Sequence, residues 1–251
     1  MATVGTTWLS RLGGRSIDLL FPPGCVVCGA EMEKLLDGIA LCVNCREALP
    51  RIAWATCQRC AARVPEIPGC VPDCKHCRDH KLQFDGTLTL GLYEGLLRDL
   101  VLKMKEDVSN RLAQVFGKLI TLQWGEAIRA LEPDAIVPIP MHAWRRLSRR
   151  ANPPVALAAT LGRQLGLRVE ANLLQWRRDA SAQLGLSQPG RFRNMRGAIQ
   201  VRRGFHLDAP RLLLVDDILT TGATCSEAAR VLKKSGAAEV TVVVVGRTTG
   251  V

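Results

Sequence analysis

The chain has 251 residues, of which 47% are hydrophobic and 23% are charged, as in an ordinary globular protein. This composition excludes collagen-like, wholly disordered and membrane-embedded proteins, and no apolar stretch approaches the ~18 residues of a membrane-spanning helix. Lysine and arginine outnumber aspartate and glutamate by 34 to 23, which gives a net charge of +11. A positive balance of this size favours polyanionic partners.

The positive charge is concentrated in residues 142–203, which hold 13 arginines, no lysine and two acidic residues. This window alone carries a net charge of +11, equal to that of the whole chain. The forked guanidinium of arginine suits phosphate and carboxylate groups. The window therefore favours phosphate recognition, with a solvated surface as the alternative.

The apolar pattern predicts a short helix over residues 8–20, followed by a turn-rich segment over residues 25–80. From residue 84 onwards, strands and helices are predicted to alternate. Strands are predicted at residues 88–92, 135–140, 212–215 and 240–245, and helices at 96–102, 111–131, 154–165 and 225–235. Continuous valine and leucine runs separated by helices are typical of an α/β domain with a mainly parallel sheet. We therefore expect two domains, over residues 1–83 and 84–251.

The cysteines are clustered, because nine of the ten lie between Cys25 and Cys77. No secretory pattern precedes them, so we expect a cytoplasmic protein. Thiols stay reduced in that compartment, which favours metal binding over disulfides. Redox-active dithiols are the alternative, although such a motif normally occurs singly beside a strand–helix–strand unit.

Eight of these cysteines form four C-x-x-C pairs, and two such pairs make a tetrahedral zinc site. The spacers from Cys28 to Cys42 and from Cys60 to Cys74 are both 13 residues long. This equality predicts sequential pairing and two structural zinc ions. The predicted ligands are Cys25, Cys28, Cys42 and Cys45 at the first site, and Cys57, Cys60, Cys74 and Cys77 at the second. Cys70, His76 and His80 are spare candidate ligands, of which Cys70 could replace Cys74. We expect instead that Cys70 is a buried thiol and that His76 and His80 are surface imidazoles.

The most specific motif covers residues 212–224, with the sequence L-L-L-V-D-D-I-L-T-T-G-A-T. A buried strand is predicted to end at Asp216 and Asp217, and a loop of threonines and glycine then leads into a helix. Thr224 and Glu227 have the spacing of a capping box, which predicts a helix N-terminus facing the loop. Backbone amides and hydroxyls at such a terminus bind phosphate, and the two carboxylates suit sugar hydroxyls or Mg²⁺. The motif therefore predicts a site for a ribose 5-phosphate.

This motif resembles the phosphoribosyl pyrophosphate (PRPP) binding segment of type I phosphoribosyltransferases. Together with the cysteine pairs, it makes the chain similar to the ComF family of competence proteins over about residues 18–249. Further matching segments are Leu20-Phe21-Pro22-Pro23, Tyr93-Glu94-Gly95, Val137-Pro138-Ile139-Pro140 and Arg193-Asn194-Met195-Arg196-Gly197-Ala198. The resemblance implies an α/β fold with a small N-terminal double zinc ribbon, followed by a type I phosphoribosyltransferase-like domain.

The resemblance also implies roles for individual residues. The PRPP-binding residues would be Asp216, Asp217, Thr220, Thr221, Gly222, Ala223 and Thr224, with Mg²⁺ bound alongside PRPP. The pyrophosphate loop would be Pro138, Ile139, Pro140, Met141 and His142. The arginine-rich stretch 177–196 would be the mobile loop that closes over pyrophosphate. No residue is an obvious nucleophile, so catalytic residues and the acceptor stay unassigned.

Competence proteins of this family imply a role in DNA uptake and natural transformation. The expected partners are PRPP or a related ribose 5-phosphate, single-stranded DNA and a helicase-like competence protein. Two functions therefore stay open at this point. One is a phosphoribosyltransferase of unknown acceptor, and the other is a non-catalytic protein that handles single-stranded DNA or senses PRPP with the same fold.

Overall fold

The computed structural model describes residues 23–65, 74–141, 151–178, 186–205 and 207–248. Its contacts divide the chain into two compact units, Met1–Ala48 and Leu49–Val251. The second cysteine cluster therefore belongs to the same unit as the sheet. The helix predicted over residues 8–20 lies outside the described residues.

The first unit contains one cysteine ribbon. The backbone N–H of Cys25 donates to the carbonyl of Ala30 at 2.8 Å, and Gly29 takes the left-handed conformation (φ 73°) that closes the turn. Helix α1 (Val43–Glu47) begins directly after Cys42. The second cysteine pair of this ribbon therefore lies at the start of a helix, where backbone amides favour thiolates.

The second ribbon repeats this geometry at the start of the larger unit. The backbone N–H of Cys57 donates to the carbonyl of Ala62 at 2.8 Å, and Ala61 takes the left-handed conformation (φ 53°) that glycine takes in the first ribbon. Helix α2 (Lys75–His80) begins directly after Cys74. The repeat therefore extends from the cysteine spacing to the backbone conformation.

The core of the larger unit is a five-stranded sheet in which all neighbouring strands are parallel. Its strands, in spatial order, are β1 (Gly86–Leu92), β7 (Glu239–Arg247), β6 (Arg211–Leu219), β2 (Ala135–Pro138) and β3 (Arg168–Val169). A separate antiparallel pair consists of β4 (Leu174–Trp176) and β5 (Ile199–Val201). The predicted α/β class with a mainly parallel sheet is confirmed.

Helices connect and cover these strands. They are α3 (Gly95–Met104), α4 (Arg111–Ala130), α5 (Pro153–Leu165), α6 (Gln188–Met195) and α7 (Ala223–Lys234). Helix α7 buries a stripe of small residues that includes Cys225, Ala228 and Ala229, and small side chains let a helix approach a sheet closely. In the described ranges, no helix has both the length and the apolar character needed to cross a bilayer.

The second ribbon covers the outer edge of strand β1. The backbone N–H of Thr87 donates to the carbonyl of Gln58 at 3.2 Å, and its hydroxyl donates to the carbonyl of Arg59 at 2.6 Å. An exposed edge strand presents unpaired backbone groups that template aggregation. The ribbon removes part of that edge from solvent.

The direction in which the chain crosses the sheet reverses between β2 and β6. From β2 the chain moves outwards to β3, whereas from β6 it moves the other way to β7. Strand β2 ends at Pro138, which is aligned with Val215, and β6 continues beyond this point to Leu219. Open α/β sheets bind ligands at such a switch point, outside the carboxyl ends of the strands.

Strand β6 is longer than predicted. Asp216 and Asp217 lie within the strand, because β6 stays aligned with β7 as far as Leu219. The acids therefore have strand conformation, and the turn comes after them.

The predicted capping box is wrong. Helix α7 begins one residue before Thr224, with Gly222 at its N-cap (φ 80°) and no side chain capping it. Glu227 instead accepts the backbone N–H of Gly197 at 2.7 Å and forms an ion pair with Arg230. The glycine provides the left-handed turn that a threonine at that position would not readily adopt.

Candidate metal centres and ligand-binding crevice

The eight paired cysteines form two groups of four. In each group the four sulfur atoms lie within 4.8 Å of one another. The first group is Cys25, Cys28, Cys42 and Cys45, and the second is Cys57, Cys60, Cys74 and Cys77. This is the sequential pairing that the matched spacers predict. Cys70 lies outside the described residues.

The sulfur atoms of the second group suit a divalent cation. Hydrogen bonds from the Cys60 and Cys77 thiols lower the pKa of Cys57, and the hydrogen bond to Cys57 raises the pKa of Cys60 to about 12. These neighbouring sulfurs compete for protons, and a zinc ion that replaces the protons stabilises all four thiolates. Both groups are therefore structural zinc-ribbon sites, with all four ligands supplied by the chain.

Asp216 and Asp217 contact different neighbours, because successive residues of a strand face opposite sides of the sheet. The Oδ2 atom of Asp217 lies 3.1 Å from Nζ of Lys105, and 19% of the Asp217 side chain is exposed. Asp216 accepts the backbone N–H of Asp217 at 2.8 Å. The fold thus brings Lys105 to the crevice.

Asp216 is the more strongly perturbed of the two acids. Burial, followed by the charge of Asp217, raises the pKa of Asp216. Sγ of Cys225 lies 3.8 Å from its Oδ2 atom, and burial likewise raises the pKa of this thiol. The two adjacent acids have one lysine beside them, which pairs with Asp217, so the acids suit a further cation or a set of hydroxyl donors.

The loop after β6 carries the hydroxyl groups and the helix terminus. Thr221 is buried, and its hydroxyl oxygen accepts the backbone N–H of Ala223 at 3.4 Å, whereas Thr220 and Thr224 are half-buried. A Cβ added to Gly222 would lie 3.4 Å from the ring of Phe84, so the loop packs closely against this phenylalanine. Helix N-termini leave backbone amides without intrahelical partners, and these favour anions.

The loop after β2 lies next to the two acids. The backbone N–H of Ile139 donates to the carbonyl of Val215 at 2.8 Å, so the chain pairs with β6 for one residue beyond Pro138. Ile139 itself is buried. The predicted pyrophosphate loop and the predicted ribose-binding acids therefore lie at the same edge of the sheet, on neighbouring strands.

Strand β4 supports the same loop from the other side. The indole N–H of Trp176 donates to the carbonyl of Pro140 at 2.7 Å, and the tryptophan is half-buried. Met141 is also half-buried. His142, the last residue assigned to this loop, lies outside the described residues.

The stretch predicted as a mobile loop is only partly described. Residues 179–185 lie outside the described ranges, and helix α6 occupies residues 188–195. The guanidinium of Arg178 donates to the carbonyls of Asn194 and Arg196. Hydrogen bonds therefore join the two ends of the stretch, next to the paired strands β4 and β5.

Arg247 is a residue that sequence reasoning missed. It is 1% exposed, and its Nε donates to the carbonyl of Cys60 at 2.7 Å. Its Nη1 donates to the carbonyls of Leu219, at 3.1 Å, and Thr220. One buried guanidinium thus joins the second zinc ribbon to the loop after β6. An arginine that ends an otherwise apolar strand was the available signal.

His76 makes a second link between the same two segments. Its Nε2 lies 3.0 Å from the carbonyl oxygen of Thr221, and burial lowers the pKa of the ring. The expectation that His76 is a surface imidazole is therefore wrong, because helix α2 packs against the loop. His80 is half-buried and stacks on Phe192, with the ring centroids 4.5 Å apart.

Comparison with known proteins gives a match to the double zinc ribbon domain over residues 16–80. The chain is 26% identical over 215 residues to Competence protein F of Haemophilus influenzae, covering 80% of this chain and 94% of that protein. It is 29% identical over 232 residues to DNA utilization protein YhgH of Escherichia coli K12, covering 89% and 97%. Competence protein ComFC of Streptococcus pneumoniae is 24% identical over 239 residues, covering 86% and 96%.

Solved phosphoribosyltransferases align with part of the chain. Purine phosphoribosyltransferase from Pyrococcus horikoshii covers 64% of this chain and 87% of its own, with 16% identity and a TM-score of 0.32. Adenine phosphoribosyltransferase from Leishmania tarentolae covers 61% of this chain and 74% of its own, with 16% identity and a TM-score of 0.35.

The double zinc ribbon match agrees with the two sulfur clusters and with the similarity to two competence proteins over 80% and 86% of this chain. The parallel sheet with a switch point between β2 and β6 supplies the second part of the same architecture. The chain is therefore similar to ComF-type competence proteins along most of its length, with a double zinc ribbon followed by an α/β domain that contains a parallel sheet.

Proposed function

We propose that the protein binds PRPP together with Mg²⁺ in the crevice between β2 and β6. The observation that carries this proposal is the position of Asp216, Asp217 and the loop of residues 220–224 at the switch point, beside the loop that follows β2. A sugar with a terminal phosphate and vicinal hydroxyls matches these groups in order.

Each part of the ligand has a counterpart among these residues. The 5-phosphate binds the amides and hydroxyls of Thr220, Thr221, Gly222, Ala223 and Thr224. The ribose hydroxyls and Mg²⁺ bind Asp216 and Asp217. The pyrophosphate binds the loop from Pro138 to His142, closed by the stretch 177–196. Lys105, which pairs with Asp217, offsets part of the negative charge of the bound pyrophosphate.

In a catalytic protein, an acceptor displaces pyrophosphate from C1 of the ribose. The chain's own contribution is to orient the two reactants and to stabilise the charge that develops on the departing pyrophosphate. An assay of pyrophosphate release, with nucleobases and amines as acceptors, tests for this reaction. A protein that only senses PRPP should bind PRPP without releasing pyrophosphate.

The test of the site is a calorimetric titration with PRPP and Mg²⁺. We expect the Asp216→Asn, Asp217→Asn double variant to lose PRPP binding and to keep its fold, because it replaces both carboxylates with neutral amides of the same size. The matched control is Asp99→Asn with Asp208→Asn, which removes the same charge from exposed positions and should bind as the wild type does. Unchanged affinity in the crevice variant would refute the site.

A second candidate function is the handling of single-stranded DNA during DNA uptake, in the cytoplasm and with a helicase-like partner. Its support is the arginine-rich window of residues 142–203 and the printed names of the relatives, which include competence and DNA utilization proteins. In this case the PRPP site serves regulation. Binding of a single strand that weakens steeply with salt would favour this candidate.

A further inference from the structure

A cavity of about 300 Å³ lies in the larger unit, apart from the crevice between β2 and β6. Its walls come from the end of helix α2, from helix α6 and from one side of helix α7. Ala223 also belongs to the proposed phosphate loop, and Phe192, Arg193 and Arg196 belong to the stretch 177–196 that is proposed to close over pyrophosphate. The volume is at the low end of the range of about 300–1,000 Å³ for small-ligand sites.

Positive side chains dominate the lining. Lys81 follows helix α2, Arg193 and Arg196 come from helix α6 and the residue after it, and Arg230 comes from helix α7. Lining residues of one charge sign focus the electrostatic field within a concave site. The cavity therefore attracts anions.

One carboxylate lies among these cations, and it is already paired. Glu227 accepts hydrogen bonds from Nε and Nη2 of Arg230 at 2.8 and 2.7 Å, and its side chain is 5% exposed. Among the residues that the structure describes, Lys81, Arg193 and Arg196 have no carboxylate partner. All three are exposed side chains of the cavity wall, so an anion that enters the cavity from solvent can reach them.

The wall that carries two of these cations is held in place by stacked rings. His80 and Phe192 stack with a centroid distance of 4.5 Å and an angle of 7° between the ring planes, and His76 meets His80 edge to face at 4.8 Å. Offset or edge-to-face ring contacts of this kind add to the stability of the packing. The stack joins helix α6 to helix α2 and so fixes the spacing of cations on opposite walls.

We propose that this cavity is a second phosphate-binding site, which takes a phosphate group through Lys81, Arg193 and Arg196. Arginine forms forked contacts to phosphate oxygens, and lysine adds a point charge. The phosphate belongs either to a small diphosphate or to the backbone of a nucleic-acid strand, since both present the same oxygens. Arg193 and Arg196 also belong to the stretch proposed to close the crevice, so the test keeps the crevice occupied by PRPP and includes a variant of Lys81, which lies outside that stretch.

The test compares three proteins with two probes. The site variant is Arg193→Ser with Arg196→Ser, and the matched control is Arg111→Ser with Arg129→Ser, which removes two exposed arginines from helix α4. Pyrophosphate is titrated by calorimetry in the presence of saturating PRPP and Mg²⁺, so that the crevice is occupied. A labelled oligothymidylate is titrated by fluorescence anisotropy at constant salt.

We expect the site variant to bind at least one probe about tenfold more weakly, because it loses two charge-assisted contacts, while the control binds both as the wild type does. Loss of pyrophosphate alone assigns a small phosphate ligand, and loss of the oligonucleotide alone assigns a strand backbone. Unchanged binding of both probes, or equal losses in the control, would overturn the proposal.

A second variant guards against misfolding of the first. Lys81 has a left-handed backbone (φ 46°) at the end of helix α2, which asparagine tolerates, so Lys81→Asn removes one cation without straining the turn. It should weaken the same probe as the arginine pair, and an unaltered affinity would count against the site. A wild type that fails to bind PRPP refutes the proposed function alone, and pyrophosphate is then titrated without PRPP.

Discussion

At the scale of single residues, the buried guanidinium of Arg247 links two distant segments of the chain through several hydrogen bonds. It satisfies carbonyl groups from two segments that are far apart in sequence, at Cys60 and at Leu219 and Thr220. Desolvation lowers its pKa, and the charge of Cys60 opposes that shift. A thiolate cluster with bound zinc carries excess negative charge, so the buried cation also stabilises the second metal site.

We expect Arg247→Leu to lower the free energy of unfolding by about 3 kcal/mol, because it leaves several buried carbonyls without donors. Urea denaturation measures this change. The control is Arg211→Leu, which removes an exposed arginine paired with Glu132 at 2.9 Å and should cost less than about 1 kcal/mol. Equal losses in the two variants would contradict the bridging role.

The raised pKa of Asp216 predicts a pH dependence of stability. In the folded protein this carboxyl keeps a proton that the unfolded chain releases above its ordinary pKa of about 4. Stability conferred by the protonated form is therefore lost as pH rises through the interval between the unfolded and the folded pKa. Without ligand, Asp216→Asn should remove this loss and raise the thermal midpoint at pH 7.

Thermal unfolding recorded from acid to neutral pH checks this expectation. The midpoints of wild type and Asp216→Asn should converge at low pH and separate as pH rises. The exposed Asp208→Asn variant should follow the wild type throughout. Parallel curves for wild type and Asp216→Asn would show that burial does not perturb this carboxyl.

At the scale of elements, the two ribbons have the same knuckle geometry but different surroundings. Cys57, Cys60 and Cys77 belong to the buried cluster that also contains Phe84 and Leu214. The first ribbon forms its own compact unit. The second metal site is therefore part of the hydrophobic core around the sheet, whereas the first metal site belongs to a separate compact unit.

We expect close to two zinc ions per chain, and the two sites should respond differently to substitution. Cys28→Ser should lose one zinc and leave the calorimetric unfolding of the larger unit unchanged. Cys57→Ser should also lose one zinc, and it should lower that transition, because it removes a ligand from within the core.

Metal analysis and scanning calorimetry of protein purified under reducing conditions measure both effects. A wild type without zinc would overturn the ribbon assignment. Identical transitions in the two variants would show that the second ribbon does not stabilise the sheet.

At the scale of the whole molecule, the net charge of +11 is concentrated in one window of the sequence. If that window contacts about four phosphates of a single strand, the logarithm of affinity should fall with the logarithm of salt with a slope of about −3. PRPP, held by amides and oxygen ligands in one crevice, should show a shallower slope. Equal slopes for the two ligands would argue against a strand-binding surface.

Much of the architecture follows from local sequence. The apolar runs of β6 and β7 predict a parallel sheet because strands buried on both faces need continuous apolar residues. The equal 13-residue spacers predict the sulfur pairing because a zinc knuckle is a local turn. The end of β6 was less predictable from local sequence. Its pairing with β7 continues as far as Leu219, so the strand includes Asp216 and Asp217.

The sequence alone thus determined the ribbons, the class of the sheet and the motif at the switch point, because each depends on residues close together in the chain. Tertiary structure alone decided that Arg247 and His76 join the second ribbon to the loop after β6, and that Lys105 pairs with Asp217. It likewise decided that cations from the ends of helices α2 and α6 and from helix α7 surround one cavity. These contacts join residues far apart in sequence, and no local pattern encodes which distant groups will meet.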